Sequence, residues 1–251
     1  MRQYRPRLNK FQYKLLNNYK TENVVGIISD THFPFQHRNY LEFVYEIFNQ
    51  FQVNEVVHIG DLVDGHAWSY HETSTEGYSA SKEAEKAQAE CNKLFNTFPE
   101  AIHIMGNHDS LVSRKAQTHG LPKKFVKTFE EIWEFPKGWK SHFSYEIDNV
   151  MYIHGTGKSG QYSAVQFMQD FRQSIVIGHT HSFGGVNYRA SYKDLTFALN
   201  VGCLIDVDAY AMEYGKNFSR KPTLGCGIVI GGRIAYFIPM NLGTKIQYNE
   251  I

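Results

Sequence analysis

The stretch that decides the fold is Ile102-His103-Ile104-Met105-Gly106-Asn107-His108-Asp109. Its mostly apolar first half predicts a buried strand, and the glycine ends that strand. The three polar residues that follow are therefore expected at the carboxyl end of a strand, where open α/β folds place their ligands. Taken alone, this turn is more simply interpreted as a polar loop with an exposed histidine. The choice depends on whether other strands end in the same way.

Four other predicted strands also end in polar side chains. Each is an apolar run, at 24–29, 55–59, 150–153 or 175–177, that leads directly into aspartate, histidine or a glycine next to one of them. A single histidine at a strand end is more often a hydrogen-bonding cap than a ligand. Five such ends in one chain indicate a shared site. The strand ends together offer Asp30, His32, Asp61, Asn107, His108, His154, His179 and His181.

The order of the predicted elements defines an α/β fold. A helical apolar pattern at 39–51 separates the first two strands, and a longer one at 79–98 precedes the strand at 102–105. Helices between buried strands produce βαβ units and a parallel sheet. A helical pattern also covers 111–139, whereas the last third is rich in strands. We expect a single domain over 24–251, preceded at 1–23 by a basic arm and a helix.

Composition excludes several classes of protein. The 251 residues are 42% hydrophobic and 20% charged, with a formal net charge of +1, so no global positive field favours nucleic acid or a membrane surface. No apolar run is long enough to span a membrane. The three cysteines, Cys91, Cys203 and Cys226, form no CxxC pair and indicate a reducing compartment. We therefore expect a cytoplasmic protein without a membrane partner.

The side chains at the strand ends favour a binuclear metal site. Imidazole and carboxylate without thiolate suit Mn²⁺, Fe²⁺ or Zn²⁺. This set of candidate ligands is too large for one ion, but it suits two ions about 3.5–4 Å apart, an arrangement that clamps phosphate groups. The glycine-rich run at 155–160 is not a P-loop, because that motif requires glycine at position 152, which is Tyr152.

These motifs together resemble those of the calcineurin-like metallophosphoesterase family. The resemblance implies a four-layer αββα sandwich of two mixed β-sheets flanked by helices. A later segment, Asn200-Val201-Gly202-Cys203, is similar to the Asn-Pro-Gly-Ser segment of the family with two residues replaced. The matching motifs are Asp30-Thr31-His32, Gly60-Asp61-Leu62-Val63-Asp64, Gly106-Asn107-His108-Asp109, His154-Gly155 and Gly178-His179-Thr180-His181.

The resemblance also implies roles for individual residues. His108 would face the scissile phosphate and protonate the leaving oxygen, while Asp109 would orient the His108 ring and Asp64 would support the ligands from behind. The cofactors would be two divalent metal ions, Mn²⁺ before Fe or Zn²⁺, holding a hydroxide that attacks phosphorus. The metal ligands would be Asp30, His32 and His181 for one ion, Asn107, His154 and His179 for the other, and Asp61 as the bridge.

The first hypothesis for function is a phosphatase or phosphodiesterase that acts on a small phosphorylated molecule or a nucleotide. A DNA-processing nuclease of the same family is the alternative; the near-neutral charge and the roughly 70 residues after the last motif disfavour it. An inactive scaffold is a third alternative, which the complete set of candidate ligands disfavours. The segment at 206–225 is expected to contribute phosphate and base contacts through Tyr210, Tyr214, Lys216, Arg220 and Lys221.

Overall fold

A computed structural model of the chain describes residues 22–70, 74–211 and 219–240. Within these residues, 3₁₀ helices lie at His66–Trp68 and Lys123–Phe125. The α-helices are α1 (Tyr40–Gln50), α2 (Ala80–Thr97), α3 (Leu111–Thr118), α4 (Phe129–Ile132) and α5 (Ser163–Phe171). The strands are β1 (Val24–Ile28), β2 (Glu55–His58), β3 (Glu100–Ile104), β4 (Gly138–His142), β5 (Ser144–Ile147), β6 (Val150–Ile153), β7 (Ser174–Ile177), β8 (Gly184–Ala190), β9 (Leu195–Val201), β10 (Gly225–Ile230) and β11 (Ile234–Pro239).

The strands form two mixed sheets. The first has the order β11-β10-β1-β2-β3-β4, in which β1 to β4 run parallel and β10 and β11 are antiparallel to their neighbours. The second has the order β5-β6-β7-β9-β8, with β6, β7 and β9 parallel and an antiparallel strand at each edge. Both sheets therefore contain a parallel core, whose strand ends carry the candidate ligands.

Three apolar layers show that the architecture is the predicted αββα sandwich. Adjacent residues of β1 point to opposite faces, so Ile28 packs in the layer beneath the helices α1 and α2, whereas Ile27 packs between the two sheets. The third layer lies between α5 and the second sheet, where Met168 packs near Ile175. The chain thus stacks helices, sheet, sheet and helix, which confirms the predicted fold class.

Local sequence explains why the outer helices form. In α1 the buried residues recur at helical spacing, from Tyr40 through Val44 to Phe48, so one face of the helix meets the first sheet. The Phe48 ring lies directly on Gly26 of β1, where an added Cβ would be only 2.6 Å from the ring. In α2, the Ser79 side chain caps the first turn by accepting a hydrogen bond from the Lys82 N–H.

Two strands were not predicted from the sequence. The predicted helical region at 111–139 contains α3, a 3₁₀ helix and α4, but its end is the edge strand β4. In β4 only Trp139 is fully buried, and β8 at the edge of the second sheet is largely exposed. Neither strand has the continuous apolar run that marks a buried strand. The helical prediction at 138–139 was therefore wrong.

The remaining expectations concern the ends of the chain and its cysteines. The predicted basic arm and helix at 1–21, together with Tyr214 and Lys216, lie outside the described residues. Among the described residues, no helix is both long and apolar enough to cross a membrane. Cys91, Cys203 and Cys226 are free thiols buried in the interior.

Candidate metal centre

The candidate site lies where the carboxyl ends of β1, β2, β3, β6 and β7 meet. The backbone leaves three of these strands in the left-handed region: φ is 47° at Asp30, 48° at His32, 49° at Asp61 and 66° at His179. Aspartate and histidine are among the few non-glycine residues that adopt this conformation with some frequency. These tight backbone turns at the strand ends bring the side chains together.

Two groups of candidate donor atoms share Asp61: one comprises Asp30, His32, Asp61 and His181, and the other Asp61, His154 and His179. A third group joins His32 to Asp64 and His108. Within each group the candidate donor atoms lie within 4.8 Å of one another. We call the set Asp30, His32 and His181 the Asp30 half, and the set Asn107, His154 and His179 the His154 half. Asp61 belongs to both groups, and Asn107 adjoins the second through its Oδ1, which lies 3.0 Å from His154 Nε2.

In the Asp30 half, two imidazole rings face one carboxylate. His181 Nε2 lies 3.0 Å from Asp30 Oδ1 and 3.2 Å from His32 Nε2. His32 Nε2 is also 3.7 Å from Asp61 Oδ2. Behind this ring, His32 Nδ1 is 2.6 Å from Asp64 Oδ1, so Asp64 fixes its orientation. Asp64 therefore supports a candidate ligand, as the resemblance implies.

In the His154 half, the ring is held by the backbone. His154 Nδ1 lies 2.9 Å from the carbonyl oxygen of Ile59, while Nε2 lies 3.0 Å from Asn107 Oδ1 and 3.3 Å from Asp61 Oδ2. The ring of His179 is 5.0 Å from that of His154 and is partly exposed. This half contributes no carboxylate apart from the shared Asp61.

The hydrogen bonds behind the rings show that the residues suit divalent cations. The Ile59 carbonyl can only accept, so His154 Nδ1 must carry the proton that it donates, and the same holds for His32 Nδ1 beside the Asp64 carboxylate. In the neutral rings, each Nε2 then presents a lone pair toward carboxylate or amide oxygens. These facing lone pairs require positive charge between them, from added protons or from metal ions. Metal-bound histidines in proteins have the same backing hydrogen bonds.

The pKa shifts have the same electrostatic cause. Burial disfavours a protonated His154 ring, but the charge of Asp61 outweighs it and raises the pKa of His154 to about 9. Burial likewise opposes ionisation of Asp61, yet the charges of His154 and His108 hold the pKa of that carboxyl well below its ordinary value. His179 differs, since burial and the nearby His154 lower its pKa. The buried carboxylates thus attract cations into the cluster.

His108 sits at the opening of the cluster. Its side chain is 25% exposed, and its ring lies 4.6 Å from that of His32. His108 Nδ1 is 2.6 Å from the carbonyl oxygen of Asp64, which must accept, and the His108 N–H donates to Asp61 Oδ1 at 2.8 Å. The ring is therefore oriented from behind with one edge toward the open space.

The contacts of Asp109 correct its expected role. Its carboxylate does not hold the His108 ring; it accepts hydrogen bonds from the N–H groups of Gly106, Asp61 and Leu62 at 2.8–2.9 Å. The same carboxylate lies 3.2 Å from His103 Nε2. Asp109 thus ties the β2 and β3 loops together beneath the site, and Asp64 orients His108. A backbone carbonyl, that of Asp64, and not a carboxylate orients the ring, and the motif alone does not reveal this.

The Asn200-Val201-Gly202-Cys203 segment supports the His179–His181 loop. The Asn200 side-chain amide donates to the Thr180 hydroxyl, and its Oδ1 accepts from the Gly202 N–H at 3.1 Å. Gly202 has a φ of 65°, and an added Cβ would lie 2.3 Å from the Thr223 carbonyl oxygen, so glycine is required there. The segment therefore positions the loop between the two histidines.

A cavity of about 570 Å³ opens beside the cluster. Sequence reasoning missed the apolar residues of the cavity, because they come from loops without a motif. Of the predicted 206–225 segment, Arg220 and Lys221 line the cavity. Tyr210 packs instead against Phe35, with ring centroids 5.0 Å apart. The lining residues are Asp61, Asn107, His108, Ser159, Gly160, His179, Thr180, His181, Ser182, Phe183, Ile205, Val207, Asp208, Arg220, Lys221 and Pro222.

The four-layer fold and the histidine–aspartate cluster at the strand ends have the architecture of a metallophosphoesterase. The sequence model described as the calcineurin-like phosphoesterase superfamily domain matches residues 24–213, and the chain belongs to this family. The match covers all the predicted motifs, including Asn200-Val201-Gly202-Cys203.

Two curated relatives and two solved structures are similar to the chain over most of its length. The chain is 28% identical over 236 residues to the Gene 54 protein of Mycobacterium phage D29, covering 82% of this chain and 88% of that protein. The Gene 54 protein of Mycobacterium phage L5 is 26% identical over 210 residues, covering 73% and 80%. Among solved structures, Vacuolar Protein Sorting 29 from Cryptosporidium parvum has 15% identity, a TM-score of 0.43 and coverage of 83% and 85%. The phosphoesterase Yfce from Escherichia coli has 18% identity, a TM-score of 0.42 and coverage of 82% and 87%.

Proposed function

We propose that this protein is a metal-dependent phosphoester hydrolase, a phosphatase or phosphodiesterase that acts on a small phosphorylated molecule or a nucleotide. The observation that carries the proposal is the orientation of the buried rings: His32 and His154 direct Nε2 toward carboxylate oxygens around one gap, and that gap opens into a cavity beside His108. Membership of the calcineurin-like phosphoesterase family supports the same chemistry.

The Asp30 half would hold one divalent cation and the His154 half the other, with Asp61 shared between them. Mn²⁺ is our first choice for both, and Fe or Zn²⁺ would suit the same donors. When bound, such ions lower the pKa of water to provide a nucleophile and neutralise charge on the phosphoryl oxygens. The second metal position would have Asn107 as a neutral ligand, which limits the negative charge beside an anionic substrate.

In this mechanism His108 is the general acid. Its Nδ1 is engaged by the Asp64 carbonyl, so Nε2 is the atom left to give a proton to the leaving oxygen. The partial exposure of the ring allows the proton to be replaced from solvent between turnovers. Asp109 positions the loops through their N–H groups and does not contact the substrate.

The decisive experiment compares the wild-type protein with His108→Ala, each loaded with Mn²⁺. We expect wild type to hydrolyse bis-p-nitrophenyl phosphate or p-nitrophenyl phosphate, and the variant to lose about 10²–10⁴-fold in kcat while keeping its metal content, because a general acid contributes that much. His119→Ala is the matched control, since His119 is exposed at the end of α3 and its Nδ1 hydrogen-bonds the Lys115 carbonyl of the same helix.

Other outcomes would replace the proposal with a different one. Loss of both metals in His108→Ala would make His108 a ligand. Rapid degradation of linear DNA, abolished in that variant, would favour the nuclease alternative. Metal binding without hydrolysis of any ester would favour a scaffold that has kept the fold.

A further inference from the structure

The cavity beside the cluster is larger than a phosphoryl group requires. At about 570 Å³ it lies within the range of about 300–1,000 Å³ found for sites that bind whole small molecules. Only part of its lining, including His108 and His179, belongs to the proposed catalytic machinery. The remaining walls must contact the rest of the substrate, so their chemistry is informative about its class.

One of these walls is apolar. The apolar lining comprises Phe183, from the loop after the His179–His181 motif, and Ile205 and Val207, which pack together in the segment after β9. Ile205 is 1% exposed and therefore forms a fixed floor and not a mobile surface group. None of the three can bind a metal or transfer a proton. A flat, weakly polar ring such as a nucleobase would bury apolar surface against such a wall.

The same end of the cavity carries positive charge. The Arg220 guanidinium carbon lies 5.2 Å from the centroid of the Phe183 ring, an arrangement in which the aromatic face attracts and orients the cation. Lys221 also lines this wall, and Asp208 is the opposing charge nearby. Arginine binds phosphate through a planar fork of N–H donors, and stacking on a ring fixes that plane. The wall thus pairs an aromatic surface with an anion-binding group.

We propose that the substrate is a nucleotide with a second phosphate group in addition to the one that is hydrolysed. The base lies along Phe183, Ile205 and Val207, the reacting phosphate lies at the metal cluster, and the second phosphate pairs with Arg220. This inference rests on the proposed function, because it takes the cluster as the position of the reacting phosphate.

The test measures binding by isothermal titration calorimetry to Mn²⁺-loaded protein, using thymidine 3′,5′-bisphosphate and thymidine 5′-monophosphate as probes. Wild type should bind the bisphosphate about 10–100-fold more tightly, the gain expected from hydrogen bonds between charged groups. Arg220→Gln should reduce this preference to less than about threefold. Arg189→Gln is the matched control, because Arg189 is an exposed arginine on β8 outside the cavity, and it should keep the full preference.

A second variant separates the two parts of the wall. Phe183→Leu keeps an apolar side chain but removes the ring, and it should weaken binding of both nucleotides by about tenfold, as expected for a lost stacking contact. Equal affinity of wild type for the two probes, an unchanged preference in Arg220→Gln, or no binding of either nucleotide would overturn the proposal.

Hydrolysis measured in parallel distinguishes this inference from the proposed function. If wild type cleaves bis-p-nitrophenyl phosphate but shows no preference for the bisphosphate, only the assignment of the substrate fails. If the bisphosphate preference is present and depends on Arg220, yet no ester is hydrolysed, the binding site stands and the hydrolase proposal fails.

Discussion

The two halves of the cluster are built differently. The Asp30 half has a carboxylate of its own, and Asp64 adds a second behind His32 at 2.6 Å. The His154 half has none of its own, and a backbone carbonyl, that of Ile59, holds its buried ring. Negative charge is therefore concentrated on one side of Asp61. We expect the Asp30 half to bind a divalent cation more tightly and to be adjustable by side-chain substitution, whereas backbone geometry fixes the other half.

The largest effect should come from removing what the halves share. Asp61→Asn takes one negative charge from both proposed metal positions, and we expect metal content after dialysis to fall from about two ions per chain to less than one. The loss should exceed the roughly 10–100-fold change in affinity that follows removal of a supporting partner. Elemental analysis checks it, with exposed Asp148→Asn as the control. Retention of two ions by Asp61→Asn would show that Asp61 is not a bridge.

A smaller effect, confined to one half, should follow Asp64→Asn. The variant removes the charge behind His32 but leaves the Asp64 carbonyl that orients His108. We expect one of the two metal affinities to weaken by about 10–100-fold and the other to stay within about threefold. Competition with a chelating dye would resolve the two affinities. Equal weakening at both positions would contradict the asymmetry between the halves.

The smallest effect concerns a carboxylate further behind the Asp30 half. Glu83 of α2 is fully buried and accepts a hydrogen bond from the Ala67 N–H at 3.0 Å. Burial raises the pKa of Glu83 to about 7. The negative charge of Asp64 also raises this pKa, whereas the hydrogen bond from Ala67 lowers it. Because the pKa of the folded state lies above the ordinary value of 4.5, the stabilisation by this group is complete below pH 4.5 and is lost as the pH rises through about 7.

Glu83→Gln should therefore gain stability relative to wild type between pH 5 and pH 8. Relative to wild type, the free energy of unfolding of the variant should rise by about 1 kcal/mol from pH 5 to pH 8. This value allows for partial screening by solvent. Chemical denaturation at the two pH values measures this change, and exposed Glu46→Gln on α1 serves as the control. If the free-energy difference were the same at both pH values, Glu83 would be ionised throughout.

Much of the fold could be predicted from the sequence because its central strands are buried on both faces. Such strands appear as continuous apolar runs, and β1, β2, β3 and β7 were placed to within a few residues. The turn residues Asp148 and Asn149 are of a type common in two-residue hairpin turns, and both have the positive φ that such a turn requires. The edge strands β4 and β8 were not predicted, because their exposed positions carry polar residues. Their sequences therefore show neither a continuous apolar run nor a regular alternation of apolar and polar residues.

The site could be predicted as a set of residues but not as a set of contacts. The structure brings the predicted residues of both halves close together, because each follows a buried strand, and their role as ligands stays a prediction. The contacts of Asp109, which accepts backbone N–H groups and does not orient His108, could not be predicted, since they depend on how the backbone turns at Asp61. The apolar lining was equally hidden: Phe183 and Ile205 lie far apart in the sequence, and only the tertiary fold places both at the same cavity.

The left-handed backbone at Asp30, His32, Asp61 and His179 also matters for protein engineering. Each such residue costs the folded state roughly 1 kcal/mol or more, and glycine would relieve that cost while deleting the side chain. A library screened for heat resistance alone would therefore enrich glycine at the positions that make the protein useful. Selection for thermal tolerance should be paired with a metal-retention assay, or these four positions should be held constant.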